Sequence, residues 1–290
     1  MRAHLALAAG VLGLVSAIPT DAEAVSKRQS GTTIFLCGDS TTAKGGGGPG
    51  TQGWGEFLQY SFPESKAKVD NRALGGRSAR SYTREGHFDT VAGLVKSGDW
   101  VVIEFGHNDG GNLKPTDDGR TDCFGDGDQT CSTTYKGVAE TVLTYPAYLK
   151  NAAKKFNAAG AKVIIAAATS DNPWESGTFQ YGYDRFFNYA WLAVQQLGGP
   201  SQGYYFVPHG AYAAQAMKNL GAKTINANYP NDHTHTSPFL ADVVHKAFVL
   251  GLRCGTSPLA SLTKNSTASL TSTVLGPCIN FDSSISPLLR

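Results

Sequence analysis

Four short polar blocks, far apart in the chain, carry residue types with chemical potential: Gly38-Asp39-Ser40-Thr41, Gly75-Gly76-Arg77-Ser78, Gly106-His107-Asn108-Asp109 and Asp232-His233-Thr234-His235. Between them they offer a hydroxyl, a carboxamide, a carboxylate and an imidazole. Nucleophilic acyl transfer uses such groups to attack a carbonyl, cradle an oxyanion and move a proton. Each block also has a purely structural reading. Gly-Asp-Ser-Thr suits an ordinary turn, the second block a tight turn, Asn108 a helix cap, and Asp232 with His235 a surface capping pair. Position sets the four apart.

Short apolar runs alternate with longer helical stretches, the pattern of a parallel sheet covered on both faces. Strands are expected at 33–37, 68–72, 100–105, 162–167 and 204–207. Helices are expected at 56–62, at 135–159 with a kink or break at Pro146, at 185–197 and at 211–220. A last helix is capped by Ser237 and opened by Pro238, with Phe239, Leu240, Val243, Val244, Ala247 and Phe248 at helical spacing. The fold class is therefore α/β, a three-layer α/β/α sandwich on a central parallel sheet of about five strands. Ligands collect beyond the carboxyl ends of such strands. Three blocks follow strands one, two and three, and the fourth precedes the last helix. The glycines at 45–48 read as a loop just after the first block, with a plain surface connection as the simplest role.

Together the blocks resemble those of the SGNH (GDSL-like) hydrolases, a flavodoxin-like fold family. The match is more specific to fungal rhamnogalacturonan acetylesterases, carried by 38–44, Trp54-Gly55-Glu56, 76–86, 104–111, Asn172-Pro173-Trp174-Glu175 and 232–238. It spans roughly 32–278. The resemblance implies Ser40 as nucleophile, Asp232 and His235 as its triad partners, and an oxyanion hole of the Ser40 N–H, the Gly76 N–H and the Asn108 side-chain amide. Local chemistry agrees. A serine leaving a strand can present its hydroxyl and its own amide to one space, a glycine lets backbone approach closely, and a carboxamide donates without proton transfer. His235 must be neutral to accept the Ser40 proton while Asp232 orients it, so hydrolysis is expected to rise as that imidazole loses its proton. The G-x-S-x-G elbow of α/β-hydrolases is absent around Ser40, which disfavours the lipase-type fold.

The chain has 290 residues, 41% hydrophobic and 17% charged, enough apolar material for a large core and too little charge for disorder. Its one long apolar run, 5–18, covers 14 residues and is too short for a membrane span, which needs roughly 20. Preceded by Arg2 and followed by small residues, it reads as a signal peptide at 1–17. Lys27-Arg28 then suggests a propeptide at 18–28, a hydrolase domain at 29–255 and a C-terminal extension at 256–290, partly tied back by a disulfide. Removing 1–28 changes 25 basic and 23 acidic residues to 22 and 21, a net of +1. That balance argues against a nucleic-acid partner. A secreted, extracellular monomer without cofactor or metal is expected.

Five cysteines in an exported chain suggest two disulfides and a spare thiol, in fifteen arrangements. Cys123 and Cys131 bracket a Gly/Asp-rich loop, Cys254 and Cys278 a Ser/Thr-rich tail, and these two local pairs are expected. They would contribute about 2.5 and 3.5 kcal/mol. Cys37, inside a strand pattern, is expected to be a buried, inert thiol. Asn265-Ser266-Thr267 is an N-glycosylation acceptor.

Arg77, Arg80 and Arg84, beside the oxyanion glycine, are candidate ligands for carboxylates of an acidic sugar polymer. A solvated basic loop is the plain alternative. Trp174 and Trp54 offer sugar-stacking faces, or core. The resemblance implies acetylated rhamnogalacturonan, a galacturonate-containing pectic polysaccharide, as substrate and acetate as product. Another acetylated polymer such as acetylxylan, or a catalytically silent glycan-binding module, are the alternatives. A zinc site from His209, His233, His235, His245 and Asp232 matches no closed tetrahedral spacing. His233 and His245 are expected to be structural or exposed, and His107 a supporting hydrogen-bond donor.

Overall fold

Runs such as Thr-Ile-Phe-Leu-Cys, Trp-Val-Val-Ile and Lys-Val-Ile-Ile carry apolar side chains on both faces of an extended chain, so both faces need cover. A computed structural model describes Met1, 31–272 and 274–280. The signal-peptide and propeptide expectations, and the tail beyond 280, lie outside the described residues. Strands β1 (Thr32–Gly38), β2 (Ala67–Asn71), β3 (Trp100–Glu104), β6 (Lys162–Ala166) and β7 (Tyr204–Val207) form a parallel sheet in the order β2-β1-β3-β6-β7. All five expected strands are present.

Strand alternation divides the interior in two. Phe35 and Cys37 of β1, with Val101, Ile103, Val163 and Ile165, meet helices α1 (Ala79–Arg84), α2 (His87–Leu94), α3 (Tyr145–Ala158) and α4 (Arg185–Gln196). Ile34 and Leu36, with Val102 and Ile164, meet α5 (His209–Leu220) and α7 (Pro238–Cys254) on the other face. The short helix α6 (Ala222–Asn226) lies between those two. The result is the expected three-layer sandwich. From β1 the sheet grows to β2 on one side and β3 on the other, so the chain-order switch falls between β1 and β3. Open α/β sheets bind ligands at such a point.

Three stretches differ from expectation. The segment 135–159 is not one kinked helix. Strands β4 (Thr130–Tyr135) and β5 (Val138–Leu143) form an antiparallel hairpin turned at Lys136 and Gly137, both with positive φ. Helix α3 then starts at Tyr145, capped by Thr144, with Pro146 in its first turn, where a missing N–H costs nothing. Val138 and Val142 lie four apart, a spacing helices share, which hid the hairpin. The 56–62 stretch forms two 3-10 turns, Trp54–Glu56 and Leu58–Ser61. The stretch after Gly76, where a basic loop is the plain alternative and no helix is expected, folds into α1 and α2, with a Ser78–Ser81 capping box at the start of α1.

Cys123–Cys131 and Cys254–Cys278 are bonded, and Cys37 is buried with its thiol pushed up to about 12 by that burial. Through Cys278 the tail packs as part of the domain: Leu270 of helix α8 (Thr267–Leu270), with Leu259 before it and Leu275 after it, enters the core beside α7. Asn265 is half-buried. Among the described residues no helix is long and apolar enough to cross a membrane.

Candidate active site

Ser40 stands two residues past β1, and the intervening Asp39 shapes its turn. The Asp39 carboxylate accepts from the Thr41 N–H (2.9 Å) and hydroxyl (2.8 Å), while its carbonyl accepts from the Thr42 and Ala43 N–H groups. This places Ser40, 5% exposed, at the crevice between β1 and β3. Across it, on the loop before α7, His235 Nε2 lies 2.8 Å from Ser40 Oγ and Nδ1 lies 2.6 Å from Asp232 Oδ2. A carboxylate only accepts, so Nδ1 carries the proton and Nε2 accepts from the serine hydroxyl. Asp232 Oδ1 also accepts from the Thr234 and His235 N–H groups, each at 2.8 Å. Against the cost of partial burial, these bonds hold the Asp232 carboxyl down at about 2.

The three expected oxyanion donors line the same cleft of about 950 Å³, together with Ser40 and His235. Gly76 sits there at φ +73, and a Cβ would meet nothing within 4 Å. Left-handed backbone, rather than close approach, is what requires glycine at this position. Neither the Ser40 nor the Gly76 N–H has a hydrogen-bond partner among the described residues. The Asn108 amide donates to Arg77 O at 3.2 Å, and its Oδ1 accepts from Arg120 at 3.0 Å.

Residues outside the four blocks also shape the site. Asp171, just past β6, accepts from the Thr234 hydroxyl at 2.7 Å and lies 3.5 Å from His107 Nδ1. It thereby ties the loop bearing Asp232 and His235 to the loop that follows β3. Burial opposes charge on His107, but Asp171 and the nearby Asp39 and Glu104 outweigh it and raise His107 to about 9. Asp171's position past a strand end was a signal in the sequence. Gly47 was less visible. A Cβ there would lie 2.4 Å from the His235 ring, so this glycine is packed against that imidazole and is more than a surface connection.

The arginine expectations are corrected. Among the described residues no arginine or lysine lines the cleft, whereas the carboxylates Asp171, Glu175 and Asp184 and the imidazoles of His107, His233 and His235 do. Arg80 is fully buried and bonded to Asp117 (2.7 Å) and Glu140 (2.8 Å), so it cannot reach substrate. Arg77 pairs with Glu85, and Arg84 bonds Gly119 O while covering the Tyr135 ring. Trp174 packs against the core and donates to Met217 O, and Trp54 is buried and donates to Glu104. Neither lines the cleft. The histidines of the zinc reading are dispersed. His209 is buried between Glu104 and Val244 O, His245 is buried beside Ser61, and His233 is exposed near Glu175.

A serine hydroxyl past β1 at a chain-order switch, an imidazole–carboxylate pair on a far loop within hydrogen-bond reach of it, and Gly76 and Asn108 lining the same cleft are the arrangement expected of a serine hydrolase of the SGNH type. Residues 34–242 match the GDSL-like Lipase/Acylhydrolase family model. The chain belongs to this family and is an esterase. It is 53% identical to a rhamnogalacturonan acetylesterase of Emericella nidulans over 222 residues, 77% of this chain and 85% of that protein. It is 30% identical to the probable rhamnogalacturonan acetylesterase YesY of Bacillus subtilis over 146 residues, half of this chain and 58% of that protein. The crystal structure of YxiM from Bacillus subtilis shares the fold, with a TM-score of 0.60 at 17% identity over 77% of this chain, which spans 56% of the YxiM chain.

Proposed function

We propose that this esterase is exported and removes acetyl groups from acetylated rhamnogalacturonan through an acetyl-enzyme on Ser40. The 2.8 Å contact between His235 Nε2 and Ser40 Oγ, with Asp232 on the opposite ring nitrogen, carries the reading. The relative from Emericella nidulans bears that activity in its name, and two disulfides suit an oxidising compartment.

Ser40 Oγ attacks the acetyl carbonyl while its proton passes to His235 Nε2, and Asp232 stabilises the imidazolium. The carbonyl oxygen, now negative, takes hydrogen bonds from the Ser40 and Gly76 N–H groups and the Asn108 amide. Collapse breaks the bond to the sugar oxygen, which leaves with the proton from His235. A water then gives a proton to His235 and attacks the acetyl-Ser40 carbonyl; the acyl–Oγ bond breaks, Ser40 Oγ takes the proton back from His235, and acetic acid leaves as acetate.

Acetate release from acetylated rhamnogalacturonan and acetylxylan, by wild type and Ser40→Ala, tests this. Rhamnogalacturonan should be preferred, and Ser40→Ala should lose at least about 1000-fold in kcat. Equal release by both proteins would end the nucleophile assignment, and faster release from acetylxylan would end the substrate assignment.

A further inference from the structure

Asn108 reaches the cleft from the end of β3, but nothing on β3 decides which way its carboxamide turns. The loop that follows does. Arg120 Nη1 donates to Asn108 Oδ1 at 3.0 Å, and Arg120 is itself tethered, its Nε to Asp118 Oδ2 at 3.1 Å and its N–H to Asp118 Oδ1 at 2.8 Å. A guanidinium has donors only, so the Asn108 atom facing it is the oxygen. The nitrogen end is then directed to Arg77 O, which takes one N–H at 3.2 Å. The second N–H has no partner among the described residues, and Asn108 lines the cleft.

We infer that Arg120 is a positioning residue for this reaction, orienting and polarising the Asn108 amide so that its free N–H serves the oxyanion. Three effects act in one direction. Pinning Oδ1 prevents a turned carboxamide from presenting an oxygen to a developing negative charge. A charged donor on the carbonyl draws electron density from the N–H bonds and strengthens them as donors. The guanidinium also adds positive charge one amide group away from the oxyanion, moderated by solvent, as the side chain is 43% exposed, and by the paired Asp118 carboxylate. Arg120 itself does not line the cleft, so it acts through Asn108. Its role rests on Asn108 being an oxyanion donor, as proposed above.

A double-mutant cycle on acetyl-ester hydrolysis separates the two. Arg120→Met should lower kcat about tenfold with KM changed less than about twofold, because the bond matters to the transition state. Arg120→Lys should recover most of the rate. In an Asn108→Ala background, Arg120→Met should cost less than about twofold, since the group it orients is gone. Arg120→Gln serves if the Met variant melts well below wild type. An equal loss in both backgrounds, or full kcat in Arg120→Met beside a slow Asn108→Ala, overturns the inference and leaves Asn108 as a donor. Full kcat in Asn108→Ala overturns both.

Discussion

Gly47→Ala is the smallest change expected to disable the site without touching a reacting group. Gly47 has no positive φ, so its backbone accepts alanine. The new methyl, however, would stand 2.4 Å from Cγ and Nδ1 of His235 and 2.5 Å from Cε1. Ordinary carbon contacts are about 3.5–4.0 Å, so ring and methyl must separate by about 1 Å or more. The loop resists retreat. Thr51 Oγ holds Gly48 O at 2.7 Å, Gly46 N–H holds Ala43 O at 3.1 Å, and Asn231 holds Pro49 O at 2.8 Å. The ring therefore yields, and its 2.8 Å contact with Ser40 and 2.6 Å contact with Asp232 cannot both survive. A misplacement of about 1 Å costs on the order of 100-fold in rate, or about 2.7 kcal/mol of barrier. Initial rates of p-nitrophenyl acetate hydrolysis, with thermal melting alongside, measure it. The melt should stay close to wild type. A kcat within about threefold of wild type would refute the assigned packing of Gly47 on the base.

Three further outcomes follow from the same geometry. Arg80→Met leaves the Asp117 carboxylate, 1% exposed, without its cation and Glu140, 20% exposed, with only Arg84 at 3.6 Å, so urea unfolding should show a loss of about 3–5 kcal/mol. KM should be unaltered, and a raised KM with intact stability would restore Arg80 as a substrate ligand. His107 keeps its proton to about 9 when folded, whereas an unfolded histidine releases it near 6.5. Its contribution to stability is full below about pH 6.5 and lost as pH rises through about 9, so melting temperature should fall across that window in wild type and less in His107→Asn. Replacing Cys254 and Cys278 by serine should cost about 3.5 kcal/mol and spare kcat. That bond sits at the far end of α7, about 25 Å of helix from the cap at Ser237.

Much of the scaffold was legible because it follows from local pattern. Strand runs with both faces apolar, and Ser237-Pro238 opening α7, need only neighbours in sequence to be read. The hairpin β4–β5 was not legible, since Val138 and Val142 satisfy two periodicities and only pairing with Thr130–Tyr135 chooses between them. The arginines misled for a related reason. Arg80 meets Asp117 and Glu140, 37 and 60 residues away, and nothing near it in the chain announces either partner.

By itself the amino-acid order determined the chemical inventory of this protein: a serine after the first strand, an asparagine after the third and Asp-x-x-His before the last helix. Those positions follow from side-chain periodicity and capping, which act over a few residues. Only the tertiary structure decided that Arg80 is buried while Arg120 reaches Asn108, that Gly47 lies on the base, and that Asp171 joins two walls of the cleft. Such pairings depend on which distant segments packing brings within about 3 Å, the range over which a hydrogen bond forms.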